Sequence, residues 1–314
     1  MRITHLLGKA AVISLGATAL TFGGLATPVH AQAPDGSASP CVRPDAHTES
    51  AAARGGHAGL DHRDISAAQQ RAIEAKTDRL LNQMSPQAKK KAQALAATVP
   101  VYVHVMRDSA GNGDVTNTQI NQQIDVLNNS FGGGGGSGAT DTGFSFTLAG
   151  VDRFNNNAWH QDQQSTTYRS QTRQGGANAL NIWLVDFEYL GIATFPWDYS
   201  SQGAIDGIRV QYSSLPGGSA APFNLGETAT HEAGHWFGLY HTFQGGCTST
   251  NDEVSDTPAQ ASPTSGCPAG RDSCSLAGLD PIHNYMDYSD DACYTNFTAG
   301  QSSRMNQMWT AYRG

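Results

Sequence analysis

Residues 231 to 241, HEAGHWFGLYH, bring three imidazoles and a carboxylate within one short stretch of chain. On a helix, His231 and His235 are four apart and share one face about a turn from each other, so both can reach one ion. Gly238, lacking a Cβ, can end that helix in the left-handed region and turn the chain sharply, which brings His241 back as a third ligand. Three protein ligands and an open fourth position describe a catalytic zinc site, where water has a pKa of roughly 7. Glu232, next to His231, is placed to take the proton from that water as it attacks a carbonyl and to pass it to the leaving amine. The competing account is an amphipathic helix whose histidines are incidental and whose Trp236, Phe237 and Leu239 are simply core. It requires five fixed positions to agree by chance, three of them histidine, a residue that supplies only 11 of the 314.

Such a helix needs a framework. TVPVYVHVM, from Thr98, alternates Val99, Val101, Val103 and Val105 on one face, the signature of a half-buried strand. NTQINQQIDVLNNSF carries Ile120, Ile124 and Leu127 at helical spacing, and FSFTLAGV, ALNIWLVDF and GIRVQY read as further strands. The run GGGGGSG at 132 to 138 is expected to be a flexible loop; it lacks the Lys-Ser/Thr that would make it a phosphate cradle. Strands alternate with helices early, and the last third is loop-rich and bears cysteines. The pattern predicts a mixed α/β domain over 99 to 314.

Upstream, Arg2, His5 and Lys9 precede an apolar, small-residue stretch from Ala10 to Ala26, followed by VHAQA. That is the pattern of a secretory signal, assigned to residues 1 to 31. Residues 32 to 98 are expected to form a pro-segment: flexible and rich in Ala, Gly, Ser and Pro at first, then helical from Asp64, with a second helix starting at Ser85 and Pro86. Nothing later is apolar enough to span a bilayer. The net charge of -8 comes from dispersed acids, and no basic stripe appears outside Lys89 to Lys91, so neither nucleic acid nor a membrane is an expected partner of a mature protein that should be monomeric. In an exported chain the five cysteines are disulfide candidates; Cys247, Cys267, Cys274 and Cys293 allow three pairings and leave Cys41 over.

The histidine motif, with NYMDY at 284 to 288 downstream, resembles the metzincin clan of zinc peptidases, whose signature is H-E-x-x-H-x-x-G-x-x-H followed by a Met-containing turn. HEAGHWFGLYHTF, DEVSDTP and NYMDYSDDACYTNFTAGQ together look like the pappalysin family, in its branch of small secreted microbial members. The resemblance covers most of residues 99 to 314. It implies a twisted, mostly parallel sheet with an antiparallel rim strand, two main helices and a disulfide-bonded C-terminal subdomain. It implies Met286 beneath the zinc, Tyr288 as a donor to the oxyanion, and LGIATFP at 190 to 196 as the strand that pairs with substrate backbone. The family pattern pairs Cys247 with Cys274 and Cys267 with Cys293. It also suggests calcium near Asp252, Asp256 and Thr257, and Cys41 as a pro-segment ligand that silences the zinc, although PCVRP lacks the glycine that commonly follows such a cysteine.

The expected activity is therefore zinc-dependent hydrolysis of internal peptide bonds by a secreted zymogen acting on proteins or peptides. The alternative is a secreted binding or adhesive module with a structural zinc. Such zincs are held by four protein ligands, whereas the motif offers three.

Overall fold

A computed structural model describes residues 65–88 and 97–314, all within one compact unit. Five strands form the sheet: β1 (Ala97–Arg107), β2 (Phe144–Asn155), β3 (Leu180–Val185), β4 (Gly191–Ala193) and β5 (Ile208–Gln211). Their order is β2-β1-β3-β5-β4. All neighbours run parallel except β4, which pairs antiparallel with β5 through Gly191 with Val210 and Ala193 with Ile208. This is the sheet implied by the resemblance, ending on a short antiparallel strand.

Four long helices are α1 (Ala67–Gln83), α2 (Asn117–Phe131), α3 (Glu227–Trp236) and α4 (Ala299–Tyr312). The valines of β1 and the Ile120, Ile124, Leu127 and Phe131 face of α2 bury against each other, joined by Ala229, Ala233 and Trp236 of α3. The opposite face of the sheet is covered too: Met106, Tyr168, Trp183 and Val185 form a second cluster under the short helix Ser165–Thr172. β1 is consequently buried on both faces in its second half, rather than half-buried as its alternation suggests, because parallel strands carry their connections over the faces of the sheet.

Helices α1, α2 and α4 each start with a capping box, Ser66 with Gln69, Thr116 with Gln119 and Thr298 with Gln301. The glycine run also departs from expectation. A Cβ at Gly135 would lie 2.3 Å from both the Tyr285 hydroxyl and the Thr295 carbonyl oxygen, so these glycines pack the loop tightly against the segment that follows α3. Composition marks a glycine run as loop, but whether it packs depends on residues some 150 positions away.

Candidate metal centre

Helix α3 is only ten residues long, too short to be stable alone, and almost all of it is buried. Its N-cap residue, Gly226, has φ +96° and no capping side chain. The cap comes from across the fold: Asp291 Oδ2 accepts hydrogen bonds from Leu225 N at 2.8 Å and Glu227 N at 3.4 Å, placing a carboxylate at the positive end of the helix. At the other end, Gly238 N donates to His235 O (2.8 Å) and Leu239 N to Gly234 O (3.0 Å), with Gly238 at φ +97°. That is a Schellman stop. It turns the chain so that His241 faces the two helical histidines.

The three imidazoles converge. His235 Nε2 lies 3.1 Å from His231 Nε2 and 3.0 Å from His241 Nε2. His231 Nδ1 donates to Tyr285 O at 2.6 Å and His235 Nδ1 to Leu239 O at 2.8 Å. A carbonyl oxygen only accepts, so each Nδ1 carries a proton, and Nε2 is the atom through which each ring can offer a lone pair to a metal. Facing lone pairs do not bond one another. A cation among them removes the repulsion, and the spacing is close to the ~3.4 Å edge of a tetrahedron with metal–nitrogen bonds of about 2.0–2.1 Å. The residues fit zinc, with two of the rings already oriented by backbone carbonyls. No fourth His, Cys, Asp or Glu joins this group among the described residues.

Met286 is fully buried beneath α3. Its Sδ would be 2.4 Å from a Cβ at Gly234, so glycine between the two helical histidines is what admits the methionine. Tyr288 stands beside the cluster, its ring 4.9 Å from that of His241 and 5.6 Å from that of His231. Glu232, 4% exposed, lies against the start of β4. The cysteines are bonded Cys247 to Cys274 and Cys267 to Cys293, closing loops across 27 and 26 residues; in the chain-entropy model each removes about 3.5 kcal/mol of freedom from the unfolded chain.

Asp252 and Thr257 are buried together in the loop after His241. Asp256 points elsewhere: its two oxygens accept from Thr298 Oγ1 and Gly300 N at the start of α4 (both 2.8 Å). Cys41 and the signal segment lie outside the described residues. Three features were not legible in the sequence: the seat at Gly234, the cap from Asp291, and Arg304. The Arg304 Nε donates to Gly238 O at 2.9 Å while its other two nitrogens grip the Glu74 carboxylate of α1 at 3.0 and 2.7 Å, tying the ligand-bearing bend to the helix at the N-terminal end of the described chain.

Burial pushes Glu227, in the first turn of α3, up to about 7, with Asp291 nearby adding to the effect; burial likewise pushes Asp291 up to about 6. A carboxyl whose folded pKa exceeds its unfolded value stabilises the fold below the unfolded pKa, and that contribution is lost as pH rises through the folded one. For Glu227 the window runs from about 4.5 to about 7. Glu227→Gln can still accept from Ser130 Oγ and is expected to raise Tm at pH 8 by roughly 2–8 °C, the equivalent of about 1–2 kcal/mol, and to do little at pH 4.5. Equal Tm shifts at both pH values, read by thermal unfolding, would refute this.

A family model described as pregnancy-associated plasma protein-A matches residues 187–310. The chain is 50% identical over 230 residues to an extracellular metalloprotease of Podospora anserina, covering 70% of this chain and 76% of that protein. Among solved structures it is similar to mature mirolysin of Tannerella forsythia in complex with a cleaved peptide (TM-score 0.59, 29% identity, 68% of this chain and 91% of that one). A promirolysin mutant of the same organism matches with TM-score 0.63 and 26% identity, over 79% of this chain and 92% of that one.

Proposed function

This chain belongs to the pappalysin family, that of pregnancy-associated plasma protein-A, and is a zinc metalloendopeptidase; on that premise we propose that it is secreted as a monomeric zymogen and cuts internal peptide bonds with Glu232 as general base. The observation that carries the reading is the convergence of three Nε2 atoms beside a buried carboxylate, between the edge strand of the sheet and Met286.

His231, His235 and His241 would hold the zinc, which when bound supplies Lewis acidity toward the scissile carbonyl and toward water. Residues of the chain do the rest. A Glu232 carboxylate oxygen takes the proton from the attacking water and hands it to the departing amine nitrogen. The Tyr288 hydroxyl donates to the oxygen that gains charge as the carbonyl carbon becomes tetrahedral. β4, last in the sheet order, offers its backbone to an extended substrate as an added antiparallel strand; the cleaved peptide in the mirolysin complex supports a peptide substrate here.

The zymogen reading draws support from promirolysin, which matches a larger share of this chain than mature mirolysin does, 79% against 68%. In this reading residues 1 to 31 are the signal, residues 32 to 98 the pro-segment including α1, and Cys41 its zinc ligand. Export is supported by the name of the Podospora relative, and no helix of the described residues is long and apolar enough to cross a membrane. Asp252 and Thr257 are proposed to bind calcium; hard cations favour such oxygens. Asp256 is left out, since its carboxylate holds α4.

Metal removal tests both assignments in one experiment. Secreted, processed protein, its N-terminus sequenced and expected near Val99, should digest casein. A zinc-selective chelator should abolish digestion and added zinc restore it, whereas a calcium-selective chelator should lower Tm. Casein cleavage indifferent to zinc removal would sink the peptidase mechanism, and a Tm unmoved by calcium removal would sink the calcium site.

A further inference from the structure

Gly191 opens β4 directly over the catalytic helix. Its φ lies outside the left-handed region, so the backbone there suits any residue and does not explain the glycine. Space does. A Cβ at 191 would lie 2.3 Å from Glu232 Cγ, 2.5 Å from Oε1 and 2.7 Å from Cδ, distances that non-bonded atoms do not adopt.

Neither side can yield easily. Glu232 is 4% exposed, on a helix whose ends are pinned by Asp291 and by the Gly238 stop. β4 is held through its pairing with β5, by Gln211 N donating to Leu190 O at 2.8 Å, and by Thr194, whose N donates to Gly207 O at 3.0 Å and whose Oγ1 donates to Asp206 at 2.8 Å. Ile192 and Ala193 are buried next to it.

We propose that Gly191 is a positioning residue for the reaction: the missing side chain lets the Glu232 carboxylate lie flat against the edge strand, and any Cβ there displaces it. The inference rests on Glu232 being the base. It gives the edge strand two tasks, since the same backbone that would align the substrate also forms the wall that aims the base. Substrate and base then take their positions from one strand, and errors in their separation are small. Such constraints matter because misplacement by about 1 Å can cost on the order of 100-fold in rate.

The test is Gly191→Ala in the full chain, processed as the wild type is. Expected are a fall in kcat of about 10-fold or more with KM changed less than about 3-fold, and an unchanged zinc content. Glu232→Ala deletes the three atoms nearest the new Cβ. Any loss of Tm from Gly191→Ala should therefore be relieved when the two substitutions are combined, a readout that remains available if the single variant is unstable. A wild-type kcat in Gly191→Ala, or a Tm loss of equal size with and without the Glu232 side chain, overturns the proposal. Glu232→Ala alone, run in the same assay, separates the two ideas: if it is active the base assignment fails, and if it is inactive while Gly191→Ala is normal only the positioning role falls.

Discussion

Glu232→Ala is expected to lower kcat on a peptide substrate by about 100-fold or more while zinc content and Tm stay close to wild type. The expectation comes from how the site is supported. His231 and His235 are oriented by the carbonyls of Tyr285 and Leu239, so deleting the Glu232 side chain removes neither anchor. Alanine is also the best helix former, and position 232 lies inside α3. What disappears is the group that moves a proton from water to amine, an interaction that strengthens only as the reaction proceeds and so appears in kcat. Residual hydrolysis would come from the metal and from substrate binding alone. A Glu232→Ala protein with normal kcat would remove the assigned base; one that had lost its zinc would show instead that the carboxylate holds the site together.

The largest expected effect on stability lies at the other end of the chain. Arg313 and Asp206 side chains are both fully buried and joined through two nitrogens at 2.8 and 3.0 Å. Arg313 also donates to the carbonyls of Trp236 (3.1 Å) and Ala177 (3.0 Å), and its guanidinium lies 3.7 Å over the Trp236 ring. Asp206 in turn accepts from Trp236 Nε1 at 3.0 Å and Thr194 Oγ1 at 2.8 Å. The last residue of the metal-bearing helix, the residue that follows the edge strand, and Arg313 thus meet at one carboxylate. Arg313→Leu would strip that carboxylate of its closest counter-ion and leave only Arg173, whose Nη2 lies 3.7 Å from Asp206 Oδ2, a change that costs about 3 kcal/mol and should lower Tm by roughly 6–12 °C. Asp206→Asn in the same chain should recover part of the loss, since the buried carboxylate is replaced by a neutral amide, while Arg173 keeps its bonds to the carbonyls of Gly175 and Gly176. A Tm drop of less than about 2 °C for Arg313→Leu would mean the site tolerates water or relaxes, and the buried pair would not be the clasp described here.

Position alone would suggest that Arg313, one residue from the end, can be changed freely. The limit of sequence reading is visible in that contrast. Local signals carried far: the spacing of His231, His235, Gly238 and His241 selected side chains that the fold brings together, the β1 valines and the α2 stripe found the main core, and the resemblance supplied the sheet and its antiparallel edge. What stayed hidden depends on what stands opposite. Gly191 and Gly234 look like any other glycine until Glu232 and Met286 are placed against them. The glycine run reads as slack chain until Tyr285 and Thr295 fill the space beside Gly135. Asp291 reads as one more acid in a loop until the start of α3, 64 residues earlier, is found beneath it. Each is a contact between segments far apart in the chain, and periodicity contains no information about such contacts.

The hydrogen bond from His231 to Tyr285 spans 54 residues, and this sets an order of events during biosynthesis. Synthesis runs from the N-terminus, so all three imidazoles leave the ribosome before the carbonyl that aligns the first of them exists. A nascent or truncated chain ending ahead of residue 285 carries every letter of the metal motif with one ring left unsteered.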